Sequence, residues 1–269
     1  MSLPTPAPDR TAIVTGASSG IGAEIARELA RRGHGVTLVA RREDRLKELA
    51  AELTNVRVEV VTADLAVEAD RQRVMDEVAA RGLLVDLLVN NAGLSTTGLV
   101  QDSTAEAELR MVKVDVEAVV HLCTLAVPGM VERGRGAILN VASTAAMQPL
   151  PGQAGYGASK AFVLSYTRAL HTELKGSGVT ATALCPGPVP TEFAAAAGWS
   201  QDQFDKALPK FMYVSAEEVA RQAVDATAAG KQVVIPGLGN RGSALMSKLL
   251  PHRLILPVVA SQHPSLKKR

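Results

Sequence analysis

Short β-branched runs alternate with longer stretches whose apolar residues recur every three or four positions, and the alternation holds from residue 11 to residue 235. The runs at 11–14, 36–40, 56–61, 85–89, 137–141, 179–184 and 232–235 predict seven strands. Between them, an alanine-rich pattern closing at Arg32 and further patterns at 68–81, 105–132, 155–174 and 215–229 predict helices. Over 105–132 the periodic positions run from Leu109 and Val112 through Val116, Val119 and Cys123 to Val127, a face for the core or for a partner subunit. Over 155–174 the face is Phe162, Val163, Tyr166, Ala169, Leu170 and Leu174, and Gly176 and Gly178 stop the helix. Strands alternating with helices, without internal repeats, predict an α/β chain, and 269 residues suit one domain of that class.

One segment breaks the rhythm. Residues 192–213 are irregular yet hold Phe193, Trp199, Phe204, Phe211, Met212 and Tyr213, much of the aromatic content of the chain. Two readings stand: a lid over an apolar substrate, or a loop anchored by its aromatics.

Composition narrows the partners. Apolar residues make up 47% and charged residues 21%, ample material for a core, while 3% aromatic residues argue against stacking on nucleic acid bases. Cys123 and Cys185 are too few for a disulfide framework and lack metal-ligand spacing, so a reducing cytoplasm is the simplest setting and no metal is expected. Residues 1–10, with three prolines and no apolar run, read as a flexible lead-in without the marks of a secretory signal. The candidate membrane span at 249–260 is short and interrupted by Pro251, His252, Arg253 and Pro257. Net charge is +2, but residues 241–269 carry six Lys or Arg and no acid, leaving the main body, 11–240, and the lead-in acidic. That extension is either a solvated basic tail or, through a surface helix at 244–250, a contact for a partner subunit or an anionic membrane.

The candidate chemistry lies where predicted strands end. After the first strand comes Thr15-Gly16-Ala17-Ser18-Ser19-Gly20-Ile21-Gly22, and then a helix. A strand, a glycine turn and a helix N-terminus make a phosphate cradle: the backbone approaches the anion, and free N–H groups meet it. Tight helix packing is the other use of such a turn. At the end of the second strand, where an acidic residue would bind the ribose 2′-hydroxyl of NAD, stand Ala40, Arg41 and Arg42. A guanidinium there grips a 2′-phosphate, favouring NADP by roughly tenfold to a hundredfold. Asp64 and Leu65 follow the third strand, Asn90-Asn91-Ala92-Gly93 the fourth, Ser143 the fifth, and Pro186-Gly187-Pro188-Val189-Pro190-Thr191 the sixth.

Tyr156 and Lys160 fall one turn apart on the helix predicted over 155–174. A phenol has a pKa of about 10. A cation about 4 Å away at an effective dielectric of about 20 favours the phenolate by roughly 4 kcal/mol, or about three pKa units. That brings a tyrosine to where acid-base catalysis works best.

Taken in order, Thr15-Gly16-x-x-x-Gly20-x-Gly22, Asp64, Asn91-Ala92-Gly93, Ser143, Tyr156-x-x-x-Lys160 and Pro186-Gly187 with Thr191 resemble the short-chain dehydrogenase/reductase family over residues 11–236. The resemblance implies a doubly wound, Rossmann-type sheet of seven parallel strands with helices on both faces. It implies that NADP(H) lies across the strand ends, on Gly16, Ser18, Ser19, Gly20, Ile21 and Gly22, on Arg41 and Arg42, and beside Asp64 and Leu65. Asn91, Ala92, Gly93, Val114, Pro186, Gly187, Val189 and Thr191 would complete that site. Tyr156 would exchange a proton with the substrate oxygen, Lys160 would lower its pKa and hold the nicotinamide ribose, and Ser143 would orient the carbonyl. One position departs from the pattern: Asp115 stands where the family commonly has an asparagine holding a relay water. A carboxylate still accepts from a water, but it adds negative charge near Lys160.

The resemblance thus implies an NADP(H)-dependent oxidoreductase interconverting a carbonyl and a secondary alcohol. Leu94, Met147, Leu150, Phe193 and Trp199 point to a lipophilic substrate, and the helices at 105–132 and 155–174 to a homodimer or homotetramer. Two alternatives are an NADP-binding regulatory protein with little turnover and a membrane-associated lipid-metabolising reductase.

Overall fold

The computed structural model describes residues 3–200, 209–262 and 266. Its strands are β1 (Arg10–Thr15), β2 (Val36–Ala40), β3 (Val58–Thr62), β4 (Leu84–Asn90), β5 (Gly136–Val141), β6 (Val179–Leu184) and β7 (Val233–Val234). They form one seven-stranded sheet in the order β3-β2-β1-β4-β5-β6-β7, and each neighbouring pair runs parallel. Sequential strands run outward from β1 in one direction and from β4 in the other. This reversal opens a crevice at the carboxyl ends of β1 and β4, the place where such sheets bind ligands.

Alternation within the strands divides the core. Ala12 and Val14 of β1, with Leu87 and Val89 of β4, face α1 (Gly20–Arg31), α2 (Glu43–Glu52) and a later helix, α8 (Ala216–Ala228). Ile13 and Leu88 face the opposite layer, built from α3 (Glu68–Ala80), α5 (Ala118–Glu132) and α6 (Ala154–Glu173). A sheet covered on both faces explains why its strands read as nearly continuous apolar runs. The single-domain, doubly wound expectation holds.

Several details differ from the sequence reading. β3 begins at Val58, because Val36, the first residue of β2, pairs there and leaves Val56 outside the ladder. The helix expected over 105–132 is α4 (Ala105–Val112), a π-helical turn (Lys113–Glu117) and α5. By length and composition Ala105–Glu132 is apolar enough to cross a membrane, a run the sequence reading passed over. Its buried residues, among them Met111, Ala118, Leu122 and Met130, pack within the protein, as in the core helix of a globular domain.

The segment 192–213 contains a short helix, α7 (Glu192–Ala196), and a 3-10 turn (Lys210–Met212); Phe204 lies outside the described residues. Beyond β7, α9 (Leu238–Leu249) starts well before the expected 244, and α10 (His252–Gln262) follows. In the lead-in, Leu3 leans on the core and the Thr5 carbonyl accepts from Arg135.

Candidate active site

The glycine turn is shaped by the end of β4. Gly16 and Gly20 have φ of 66° and 56°, which side chains rarely adopt. A Cβ on Gly22 would lie 2.3 Å from Asn91 Nδ2 and 2.4 Å from the Gly16 carbonyl oxygen. Asn91 Nδ2 donates to the Thr15 carbonyl at 2.9 Å, and the N–H groups of Asn91 and Ala92 both reach Thr15 Oγ1. Thr15, assigned no role from sequence, thus clamps the turn to β4. A Cβ on Gly20 would meet the Thr191 side chain at 3.1 Å, so the loop after β6 closes over the same turn.

Ser19 is the N-cap of α1 but its side chain makes no capping hydrogen bond, and no acid lies in the first turn. The N–H groups of Gly20, Ile21 and Gly22 are therefore suited to an anion. A dinucleotide pyrophosphate fits these N–H groups, which no acid opposes, and the glycines let the turn pack against Asn91, Ala92 and Thr191 behind them.

Arg42 lies beside the turn. Its Nε and Nη2 donate to Ser18 Oγ at 3.3 and 3.2 Å, and its Nη1 donates to Glu192 at 2.8 Å. Glu192 was not singled out in the sequence because it lies 150 positions from Arg42. Arg42 and Ser19 hold its carboxyl below the usual range, against a smaller opposing push from burial. Arg41 is exposed at the end of β2. Asp64 accepts from Arg110 at 2.7 Å; burial pushes its pKa up, but Arg110, the Ala66 N–H and Arg41 outweigh that and hold it low. Leu65 turns its side chain into the core, while Val114 and Val189 are also buried.

Ser143, Tyr156 and Lys160 converge at the ends of β5 and α6. Lys160 Nζ donates to the Val141 carbonyl at 3.2 Å and sits 5.7 Å from the centroid of the Tyr156 ring, so the two side chains are neighbours as their spacing predicts. Ser143 Oγ accepts from the Ala145 N–H at 3.1 Å and stands beside the Tyr156 phenol. Its hydroxyl proton serves the Tyr156 phenol oxygen, an interaction that favours the phenolate.

The π-helical turn swings Asp115 into this cluster, fully buried, with Oδ1 accepting from the Leu94 N–H at 2.7 Å. Its Oδ2 is 3.0 Å from Lys160 Nζ without good hydrogen-bond geometry, so charge pairing dominates the contact. Burial raises the Asp115 pKa, with Lys160 and the Leu94 N–H opposing. For Lys160, burial disfavours the charge, but Asp115 and Tyr156 outweigh it and raise the pKa, so the ammonium stays charged.

Burial also raises the Tyr156 phenol, and Asp115 adds to the rise; Lys160 and Ser143 only partly offset it. The lowering expected from Lys160 alone is therefore outweighed. The sequence reading of the phenol weighed only the ammonium; burial, which it left out, is the largest effect, and Asp115 adds a smaller one.

The mouth is built by three segments. Gln153 Nε2 donates to Ser95 Oγ at 2.8 Å, Thr97 Oγ1 to the Ala197 carbonyl at 2.6 Å, and the Gly98 N–H to the Gly152 carbonyl at 2.9 Å. Phe193 packs on Tyr156 with ring centroids 5.8 Å apart. Leu94, Met147, Leu150 and Trp199 are each partly exposed. Asn240, fully buried and missed in the sequence, donates to the Met212 and Pro236 carbonyls at 3.0 and 2.9 Å, and it packs where a Cβ on Gly187 would lie. The Pro186 carbonyl accepts from Thr144, joining this loop to the turn after Ser143.

Residues 10–202 match the short chain dehydrogenase family. The chain belongs to that family. Among its relatives, the very-long-chain 3-oxoacyl-CoA reductase of Anas platyrhynchos is 37% identical over 209 residues, which cover 74% of this chain and 65% of the reductase. The chain thus spans just under two thirds of that relative's length. Among solved structures, a short-chain dehydrogenase from Sphingobium yanoikuyae in complex with NADPH superimposes with a TM-score of 0.78 at 36% identity, covering 93% of this chain and 95% of the other. A 3-ketoacyl-(acyl-carrier-protein) reductase from Brucella melitensis complexed with NADH gives a TM-score of 0.78 at 29% identity, covering 86% and 98%. This short chain dehydrogenase therefore carries the oxidoreductase fold of its family.

Proposed function

We propose that this short chain dehydrogenase is an NADP(H)-dependent oxidoreductase that interconverts a lipophilic ketone and its secondary alcohol. The observation that carries the reading is the convergence of Ser143, Tyr156 and Lys160 beside a glycine cradle. In reduction, the Ser143 hydroxyl donates a hydrogen bond to the carbonyl oxygen and polarises it. The Tyr156 hydroxyl lies next to it and delivers the proton as the oxygen becomes an alkoxide. A phenol with a raised pKa is fully protonated at neutral pH, which suits a proton donor. Lys160, charged and fixed between Asp115 and Val141, then stabilises the phenolate that is left. The bound dinucleotide supplies the hydride.

Preference for the 2′-phosphate rests on Arg42, aimed across Ser18, and on Arg41 at the end of β2. The NADPH bound by the Sphingobium enzyme agrees with this, and the NADH of the Brucella reductase marks the alternative. For the substrate, Phe193 against Tyr156 and the apolar Leu94, Met147 and Leu150 favour a bulky apolar ketone. The relatives named for 3-oxoacyl substrates make such thioesters the first compounds to try. The helices α4 to α6 remain the proposed subunit contacts, through exposed Leu109 and Phe162.

The test is oxidation of NADPH and of NADH against a panel of aliphatic ketones and 3-oxoacyl thioesters, with Tyr156→Phe as the control. Turnover with NADPH that falls by about a hundredfold or more in the variant supports the reading. Full activity in Tyr156→Phe, or a clear preference for NADH, refutes the proton donor or the cofactor respectively.

A further inference from the structure

Helix α9 is amphipathic in reverse. The face it lays on the protein is small and polar: Asn240, Ala244 and Ser247 are buried, and Ser247 Oγ donates to Gln148 Oε1 at 2.7 Å. The face it turns outward is large and apolar: Leu238 is 82% exposed and Leu249 69%, with Leu245 and Met246 between them. A helix of an isolated soluble domain buries its leucines, so this arrangement needs a second apolar phase. Phe211, 74% exposed, extends the patch, since its ring packs where a Cβ on Gly239 would lie. Leu254, in the helix α10 that follows, is likewise exposed.

We infer that this outward face seats the protein on an anionic lipid surface. Charge selects that occupant. Residues 241–269 contain Arg241, Lys248, Arg253, Lys267, Lys268 and Arg269 and no Asp or Glu, whereas the rest of the chain sums to −4. Exposed Lys210, Arg241 and Arg253 border the apolar patch. Apolar side chains bordered by bases match acyl chains beneath anionic headgroups. A second copy of the chain is the competing occupant. A two-fold pairing of this face would bring two all-basic stretches together, which their repulsion opposes. Because Ser247 on the buried face contacts Gln148, five positions past Ser143, the helix that carries the apolar face is anchored to the turn after Ser143. The inference stands on the helix itself and does not depend on which substrate or cofactor the site takes.

The test uses the full chain in flotation with vesicles of phosphatidylcholine alone and of phosphatidylcholine mixed with phosphatidylglycerol, with light scattering in parallel. Binding is expected only to the mixed vesicles and is expected to fall as salt rises. Replacing Leu245, Met246 and Leu249 by serine should abolish it. These side chains face solvent, so the melting curve should be unchanged. Replacing Lys267, Lys268 and Arg269 by glutamine should weaken it on the order of a hundredfold. No binding to mixed vesicles, equal binding to both kinds, or binding that survives the serine replacements overturns the inference. So does a dimer in light scattering that the serine replacements split, which would assign the face to a second copy.

Discussion

Arg42 Nη1 and the Glu192 carboxylate are 2.8 Å apart, a contact that ties the first residue of α7 to the flank of the glycine turn. If Arg42 binds the 2′-phosphate, Glu192 competes for the same guanidinium. Both side chains are about half exposed, so the pair is worth at most about 1 kcal/mol, or about fivefold in affinity. Glu192→Gln is therefore expected to tighten NADPH by up to about fivefold and to leave NADH nearly unchanged. Fluorescence titration of the two dinucleotides reads this directly. Equal tightening of both would place Glu192 against the pyrophosphate and away from the 2′-phosphate. Arg42→Ala should weaken NADPH by roughly tenfold to a hundredfold.

Beyond burial, Asp115 adds to the upward push on the Tyr156 phenol. The charged or titratable groups around Tyr156 are Lys160 on its own helix, Asp115 from the π-helical turn and Cys185 after β6. Asp115 raises the phenol, so Asp115→Asn should lower it. Alcohol oxidation needs the phenolate, and the acid limb of its pH profile should move to lower pH in the variant. Turnover that falls equally at every pH, without that displacement, would show that Asp115 only holds Leu94 and Lys160 in place.

Gly22 tests the cradle. Gly22→Ala would put a methyl group 2.3 Å from Asn91 Nδ2, inside any real contact distance. Overpacking of this kind costs about 1–3 kcal/mol. The variant should melt earlier and lose dinucleotide binding, because both Asn91 and the Gly16 backbone must move to admit the methyl group. Unimpaired NADPH binding in a stable variant would show that the turn yields freely.

Asn240 ties the end of the 192–213 segment to the residues after β7. Asn240→Ala strands the Met212 and Pro236 carbonyls, at about 1–3 kcal/mol for lost buried hydrogen bonds. A chain of this size loses about 2–4 °C in Tm per kcal/mol. Calorimetry should find that loss together with a raised KM for the ketone. A lowered Tm with unchanged KM would restrict Asn240 to a structural role.

How far the sequence could be read depends on distance along the chain. Strands declared themselves by β-branched runs, and the chemistry was legible because Ser143 and Asn91 follow such runs directly. Tyr156 and Lys160 needed only helical spacing, which α6 provides. The π-helical turn was hidden because Leu109, Val112 and Val116 satisfy ordinary helical periodicity, and one extra residue in a turn leaves no mark in composition. The partners of Arg42 and of Asn240 come from remote segments, which no local pattern reveals. Asp115 was visible as a departure, but its effect on Tyr156 required knowing that it is fully buried against Lys160.

The ties from Thr97 to Ala197, from Gly98 to Gly152 and from Ser95 to Gln153 join three distant stretches into one rim. Replacing α7 together with Ala197 would put at risk one of the three ties of the 95–98 loop, that from Thr97, while those to Gly152 and Gln153 remain. A graft that keeps this rim intact therefore takes all three stretches from one donor.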